Sequence, residues 1–562
     1  MSNEIKCDIE TATRLKRELE QRLKAGESLA TEPMRTDAAA YLEVERGIFR
    51  ANNPIDAACE NIPPWEREPY QILRPIDDPY FTPDETGLTR RFVEECLDWL
   101  AWNPAEKKWY AWMGDHWSDE AADLLAERYT RILYDSLRYE LPVYMSLGVE
   151  SVKGEPHLTI KTKHDYEAMV KAAAKIRTQQ QIVNAARAEL PATFDTDRRI
   201  PFQNGMFNPE TCELCPHAPE NYNTTVSPVR LNLNAPPFPD GERFFNEISC
   251  GDQKWTAALF RVLGECLLYG NPHQCFFVFY GSGANGKGVL VDWLQRALGN
   301  LTGAASPIEI SKQNQSGRQT SLVDTVGRCR IVFFKETGGV QYDEEIIKSL
   351  TGEKRITLTR IFTGPRELEI CATPILITNT LPTVDKGGVS MMRRQIGFPF
   401  DYQVQSIDEG LLNRLATDAG NEWLICQMVK ALMDAQKPDA PSFKDSLPDR
   451  VKRFTQDLIH EADIVLQFLD ECCERSGNDA HRTSRHELYI AFSAYAYSDL
   501  GKAPTPMKYR ISEKTFGDRL RAHNLIPMEG QQRTSNNQTR RYVYPGIILN
   551  QTGTDFYNIG GY

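Results

Sequence analysis

The stretch with the clearest chemistry is Gly281-Ser282-Gly283-Ala284-Asn285-Gly286-Lys287-Gly288-Val289. Glycines at this density let the backbone curl until several N–H groups face one anion, and the lysine that follows reaches the outer phosphates of a nucleoside triphosphate. The preceding residues, Cys275 to Tyr280, are apolar without polar alternation and predict a short buried strand. After the turn, Val289, Leu290, Trp293, Leu294 and Leu298 recur at helical spacing, which sets the turn at the positive end of a helix dipole. The combination predicts a phosphate-binding loop; a strand-turn-helix with incidental glycines is the bland alternative. One position departs from the pattern. The residue after the lysine is usually Ser or Thr, whose hydroxyl binds Mg²⁺, and here it is Gly288. Either waters and a downstream carboxylate hold the metal, or the loop binds nucleotide less well than most.

Hydrolysis needs more groups around the phosphates. Arg330 to Phe334 reads as a second buried strand, with Glu336 at its end as the carboxylate that steers Mg²⁺ or polarises the attacking water. A third, Pro374 to Thr378, ends in Asn379, a polar amide suited to orienting water if this strand lies between the other two. Arg393 and Arg394 precede the apolar Ile396 to Phe400, and an arginine there would stabilise charge on a neighbouring subunit's phosphate. Between the second and third strands, Arg355 to Phe362 alternates with period two. Thr363-Gly364-Pro365 then turns the chain, and Arg366 to Ile370 alternates back, a hairpin signal. Lys354, Arg355, Arg360 and Arg366 crowd it. In a ring such a hairpin would project into a channel and grip phosphates; in isolation it is a charged turn.

The elements that must position these groups belong to a multidomain α/β chain. Its 562 residues suffice for several cores, and 41% hydrophobic with 25% charged residues is ordinary for globular proteins. A net charge of −12 excludes a uniformly basic coat, so nucleic-acid contact must come from local patches. No apolar run approaches bilayer length, the N-terminus is no signal peptide, and the 13 scattered cysteines fit reduced thiols. Together these features predict a protein of a cell's cytoplasm, with no membrane partner. Residues 1–70 read as an extension and linker, 71–235 as an upstream α/β domain, 236–440 as the ATPase and 441–562 as a separate C-terminal domain. In the upstream domain, Trp99, Trp102, Trp109, Trp112 and Trp117 read as a hairpin core more readily than as a base-stacking platform. Asp195, Asp197, Cys212, Cys215 and His217 evoke metal sites, but no further ligands stand at the usual spacing.

The C-terminal domain reads as helix, basic loop, then a helix opened by Ser512 with Phe516 and Leu520 inward and Lys514, Arg519 and Arg521 outward. A polar loop between strands follows, which makes a winged-helix pattern. Residues 501–550 carry nine Lys/Arg against three Asp/Glu, the electrostatic footprint of DNA binding; a protein-docking face is the alternative.

Taken in order, GSGANGKG, RIVFFKETG, IIKSLTGEKRITLTR, ILITNTLP and MMRRQIGFPF resemble the superfamily 3 helicases of small viruses, phages and plasmids, most of all the poxvirus- and phage-type primase-helicases. FDTDRRIPFQNGMFNPETCELCPHAPEN and WYAWMGDHW resemble the domain that precedes the helicase in those proteins. The resemblance implies an AAA+ type core in a hexameric ring. It would hydrolyse ATP with Mg²⁺ at subunit interfaces, translocate on single-stranded or forked DNA, and serve replication of a phage, prophage or mobile element. Carried over, Lys287 is the loop lysine, Glu336 the catalytic acid and candidate Mg²⁺ ligand, and Asn379 the sensor. Arg394, less readily Arg393, is the finger given in trans, and Lys348 matches a basic residue before the channel hairpin. Gly288, the single acid at Lys335-Glu336 and Gly352-Glu353-Lys354 depart from the family pattern. The segment before the resemblance is too short for a primase, so a separate primase or other replication protein is an expected partner. The competing class is an ATP-dependent origin-binding or loading platform without processive unwinding; a packaging or partitioning ATPase is disfavoured.

Overall fold

The structure is a computed structural model. It describes residues 62–67, 85–146 and 163–560, apart from 313, 315–316, 318, 338–341, 361–363, 381–392, 479–480, 498–510 and 535–536, together with scattered positions between 11 and 25. Most of the expected N-terminal extension therefore lies outside the described residues. Two compact units result: Met1–Asp197 with His217–Thr224, and Arg198–Pro216 with Thr225–Tyr562.

In the first unit, helix α1 (Glu85–Cys96) precedes an antiparallel meander of β1 (Leu100–Asn103), β2 (Lys108–Trp112) and β3 (Trp117–Ser118). Helices α2 (Ala122–Ser146), α3 (Lys163–Ala173) and α4 (Ile176–Ala186) follow. Trp99, Trp109 and Trp117 are buried, Trp102 and Trp112 half-buried, so the tryptophans chiefly build a core. Asp195 is spent on structure, since its carboxylate accepts from the Thr224 N–H at 2.7 Å and the Thr224 hydroxyl at 2.6 Å.

The second unit opens with a meander, β4 (Ile200–Phe202), β5 (Gly205–Asn208) and β6 (Glu213–Cys215). Ile200, Phe202 and Phe207 pack into the same core as the ATPase strands. Burial of these side chains ties the meander forward to the second unit.

Helices α5 (Pro239–Ile248) and α6 (Gln253–Glu265) lead to β7 (Phe276–Tyr280) and α7 (Lys287–Leu298). There follow β8 (Thr302–Ala304), α8 (Thr320–Val326), β9 (Ile331–Lys335), α9 (Glu344–Gly352), the hairpin β10 (Arg355–Arg360) and β11 (Gly364–Glu369), β12 (Thr373–Thr378) and β13 (Gln395–Pro399). Five strands form one parallel sheet in the order β13-β7-β12-β9-β8. Their continuous apolar runs are what a parallel sheet covered on both faces requires. Along β7 the pleat divides them: Phe277 and Phe279 join α6, α7 and α11 (Asp418–Ala435) on one face. Phe276 and Val278 join α8, α9 and β10 on the other. As its pairing shows, β12 lies between β7 and β9, where the strand carrying Asn379 was expected.

Helix α12 (Asp449–Ala462) packs on β13, where the Thr455 hydroxyl accepts from the Gly397 N–H at 3.0 Å. Beyond it come α13 (Ile464–Cys472), β14 (Cys473–Arg475), β15 (Arg482–Ser484), α14 (Arg485–Tyr497) and α15 (Glu513–Ala522). Strands β16 (Met528–Thr534), β17 (Asn537–Pro545) and β18 (Ile547–Leu549) and helix α16 (Gln551–Gly560) close the chain. A three-stranded sheet β15-β17-β16 covers the α13–α15 core, and β14 pairs with β18. Among the described residues no helix is long and apolar enough to cross a membrane.

Candidate nucleotide site

The glycine turn joins the tip of β7 to α7 and is locked by its own polar groups. Asn285 is buried and donates to the Phe400 carbonyl at 3.1 Å, which ties the turn to the end of β13. Its Oδ1 accepts from Lys287 Nζ at 2.9 Å, and the Gly281 carbonyl accepts from the same amine at 2.8 Å. Gly286 caps α7 with φ of 84°, a left-handed conformation that a Cβ would strain, and a Cβ there would also collide with Ile248. Lys287 is only 4% exposed, and burial pulls its pKa down to about 8. Among the described residues no carboxylate shares its hydrogen bonds. A buried amine with two neutral acceptors at a helix amino terminus is suited to an incoming anion.

The turn opens on a cavity of about 680 Å³, a size that suits a nucleotide. Gly283 to Val289 form its floor, with Ile377 of β12 and Asn379 just past its end beside them. Phe244 and Ile248 of α5 supply an apolar wall. The remaining wall is a strap after β13, including Tyr402, Val404 and Ile407, with Leu411 beyond it. This strap is fastened to the turn: the Val404 N–H donates to the Ala284 carbonyl at 2.9 Å, and Gln403 Nε2 donates to the Ser282 hydroxyl at 2.8 Å. Arg243 and Arg414 also line the cavity, paired with Asp240 and Asp408 respectively. Residues 236–274 read from the sequence as helices leading into the loop, as α5 and α6 are, but neither α5 nor the strap was expected to line the site. Their lining residues carry no motif, and only Phe244, Phe245 and Ile248, apolar at helical spacing ahead of the glycine turn, offered a signal.

The expected hydrolytic residues are distributed unevenly. Asn379 lines the cavity with Lys287. Glu336 stands beyond the tip of β9, exposed, with φ of 58°, and outside the cavity lining. Its neighbour Thr337 donates from its N–H to the Ile377 carbonyl at 3.3 Å, so the tips of β9 and β12 are joined. Lys335 turns away to Asp292 at 2.9 Å. The loop itself offers Mg²⁺ no side-chain ligand at residue 288, and Glu336 is not in the cavity lining; the carboxylates that line it are Asp240, Glu247 and Asp408, outside the loop.

Arg394, the preferred finger, turns inward. Its Nη1 donates to the Lys348 carbonyl and to the Thr351 hydroxyl, each at 2.8 Å, at the carbonyl end of α9. A Cβ at Gly352 would collide with this guanidinium. Arg393 is exposed, and its carbonyl accepts from Lys444 Nζ at 2.9 Å. Lys348 is half-buried and pairs with Glu344 at 2.8 Å. On the hairpin, Lys354 and Arg355 are exposed, Arg366 is half-buried, and Arg355 pairs across the strands with Glu367 at 3.0 Å. The Arg360 side chain and the hairpin tip lie outside the described residues.

In the C-terminal region Ser512 caps α15 as expected, accepting from the Thr515 N–H at 3.2 Å. Lys514 and Arg521 are exposed. Arg519 is a correction: expected to face out, it is 5% exposed, its Nη1 lying 3.7 Å from Asp463 Oδ1. Asp463 is fully buried at the start of α13, and His523 Nε2 lies 2.7 Å from its Oδ2. Burial alone would raise the Asp463 pKa, but the His523 hydrogen bond and the Arg519 charge hold it below the usual carboxylate range.

Comparison with known proteins matches two segments of the chain. Residues 89–250 match the family described as D5 N terminal like, and residues 279–394 match a family of unknown function. Over 209 residues the chain is 26% identical to the helicase-named protein L207/L206 of Acanthamoeba polyphaga mimivirus. That alignment covers 36% of this chain and 21% of the viral protein, so the chain spans about a fifth of its length. Apo structures of the C-terminal region of NrS-1 align with TM-scores of 0.34 and 0.33 at 11 to 13% identity, covering 56 to 57% of this chain and 77 to 78% of theirs. Each likeness covers only part of the chain, one to a D5 N terminal like segment and one to a helicase-named viral protein.

Proposed function

We infer that the chain is an ATP-driven replicative DNA helicase of superfamily 3, from a phage, prophage or mobile element, and that it works as a ring, hexameric as in the family it resembles. The observation that carries this reading is that Lys287, opening the helix that follows β7, and Asn379, just past the end of the adjacent parallel strand β12, line one cavity of nucleotide size. The strand order β13-β7-β12-β9-β8 supports an AAA+ type core, and the α13 to β17 order supports a winged helix.

In this reading the N–H groups of the turn and Lys287 hold the β- and γ-phosphates, and the Phe244–Ile248 wall and the strap hold the base. Asn379 orients water towards the γ-phosphate. Glu336, beyond the tip of β9, is the carboxylate assigned to polarise that water. Arg393, exposed, is the better candidate for a finger into a neighbouring subunit, while Arg394 fixes the base of that segment on α9. The β10–β11 hairpin, with Lys354 and Arg366, would face DNA in the channel, and Lys514 and Arg521 would bind duplex.

A forked-DNA strand-displacement assay with ATP tests the reading. The wild-type chain should displace strand and Lys287→Ala should not. ATP turnover without displacement under any fork geometry would favour the loading-platform alternative, to which Gly288 lends some support.

A further inference from the structure

The glycine at position 288 is not forced by space. It is the second residue of α7 and lines the cavity, and a Cβ there would meet no atom within 4 Å. A side chain therefore has room to start here, yet the chain carries no hydroxyl at the position where phosphate loops usually place a metal ligand.

The side-chain oxygens of the loop and of α7 carry hydrogen bonds or ion pairs of their own, and the half-buried carboxylate of Glu247, on α5, lines the cavity outside the loop. The Ser282 hydroxyl accepts from Gln403, the Asn285 carbonyl oxygen accepts from Lys287, and Asp292 on α7 pairs with Lys335. Asp240 and Asp408 in the cavity pair with Arg243 and Arg414. The attraction that remains for a polyphosphate comes from Lys287 and the amino terminus of α7, both of which act on negative charge. A divalent ion on the triphosphate cancels half the charge of a fully ionised tail, and the loop returns no oxygen ligand to the ion in exchange.

Building on the nucleotide-site reading, we propose that the loop recognises the nucleoside triphosphate itself and not its magnesium complex, so that binding requires no divalent ion. Metal, where hydrolysis uses it, arrives after or apart from the binding contacts of this loop.

The test is calorimetric titration of ATP into the full chain, in excess EDTA and in excess Mg²⁺, for wild type, Gly288→Thr and Gly288→Ala. The wild type should bind ATP in EDTA at least as tightly as in Mg²⁺. Gly288→Thr should shift the preference towards Mg²⁺ by about tenfold, the scale of one added polar contact. Gly288→Ala, which adds a methyl but no ligand, should keep the wild-type preference. Wild-type binding that disappears in EDTA overturns the proposal, as does a Gly288→Thr preference identical to that of Gly288→Ala. No binding in either condition, by protein that melts cooperatively, overturns the nucleotide site itself and the proposal with it.

Discussion

Lys287 in the glycine turn and Arg519 in α15 are almost equally hidden, 4% and 5% exposed, yet they are buried for different reasons. Arg519 faces the buried carboxylate of Asp463, with His523 completing the group, so its charge is answered within the chain. Lys287 donates to a backbone carbonyl and an amide oxygen, both neutral, and its pKa falls to about 8. A buried cation with an acid beside it is part of the structure; one with neutral partners in an open cavity waits for an anion. Arg394 stands between the two, held by neutral groups at the negative end of α9 and outside the lining of the nucleotide cavity.

The comparison breaks most visibly if the acid is removed. Asp463→Ala removes the buried carboxylate that Arg519 and His523 face and should destabilise the C-terminal module by about 3–5 kcal/mol. Chemical denaturation followed by the module's own signal would measure it, with ATP affinity unchanged. A loss below about 1 kcal/mol would mean that Arg519 is not committed to Asp463.

Removing the other cation should leave folding intact and abolish function. Lys287→Ala should lower ATP turnover by at least about a hundredfold, the scale of losing one preorganised charge contact, while thermal unfolding stays cooperative. Turnover within a few-fold of wild type would sink the site assignment.

Duplex DNA sharpens the contrast within α15 itself. Lys514→Ala with Arg521→Ala should reduce the salt dependence of binding by about two units of slope, roughly 0.9 for each phosphate that is no longer neutralised. Arg519→Ala should leave the slope unchanged and cost stability instead. Equal slopes for both variants would return Arg519 to the surface.

These contrasts also mark what the sequence made legible. The buried strands β7, β9 and β12, the β10–β11 hairpin and the Ser512 cap follow from local pattern: continuous apolar runs, period-two alternation and one hydroxyl before a helix. Arg519 was legible but misread, since Phe516, Arg519, Leu520 and His523 fall at i, i+3, i+4 and i+7, one face of a helix. The inward turn of Arg394 depends on the carbonyls of α9, more than forty positions earlier, and no local pattern reports it. The strap from Tyr402 to Asp408 was illegible for a similar reason: its role arises from two bonds to the turn across the sheet edge.

The most direct measurement is the pH dependence of ATP affinity. Lys287 in the free protein loses its proton near pH 8, below the ordinary lysine value of about 10.4. A triphosphate favours the charged amine, so binding above that pH must take up a proton. Affinity should be flat in Lys287 protonation below pH 8 and fall by up to about tenfold per pH unit above it. Titration calorimetry in buffers of different ionisation enthalpy should register the proton, and Lys287→Arg, which does not titrate in this range, should bind with a flat profile. Wild-type affinity constant to pH 10, with Lys287→Ala binding ATP equally well, would contradict the account.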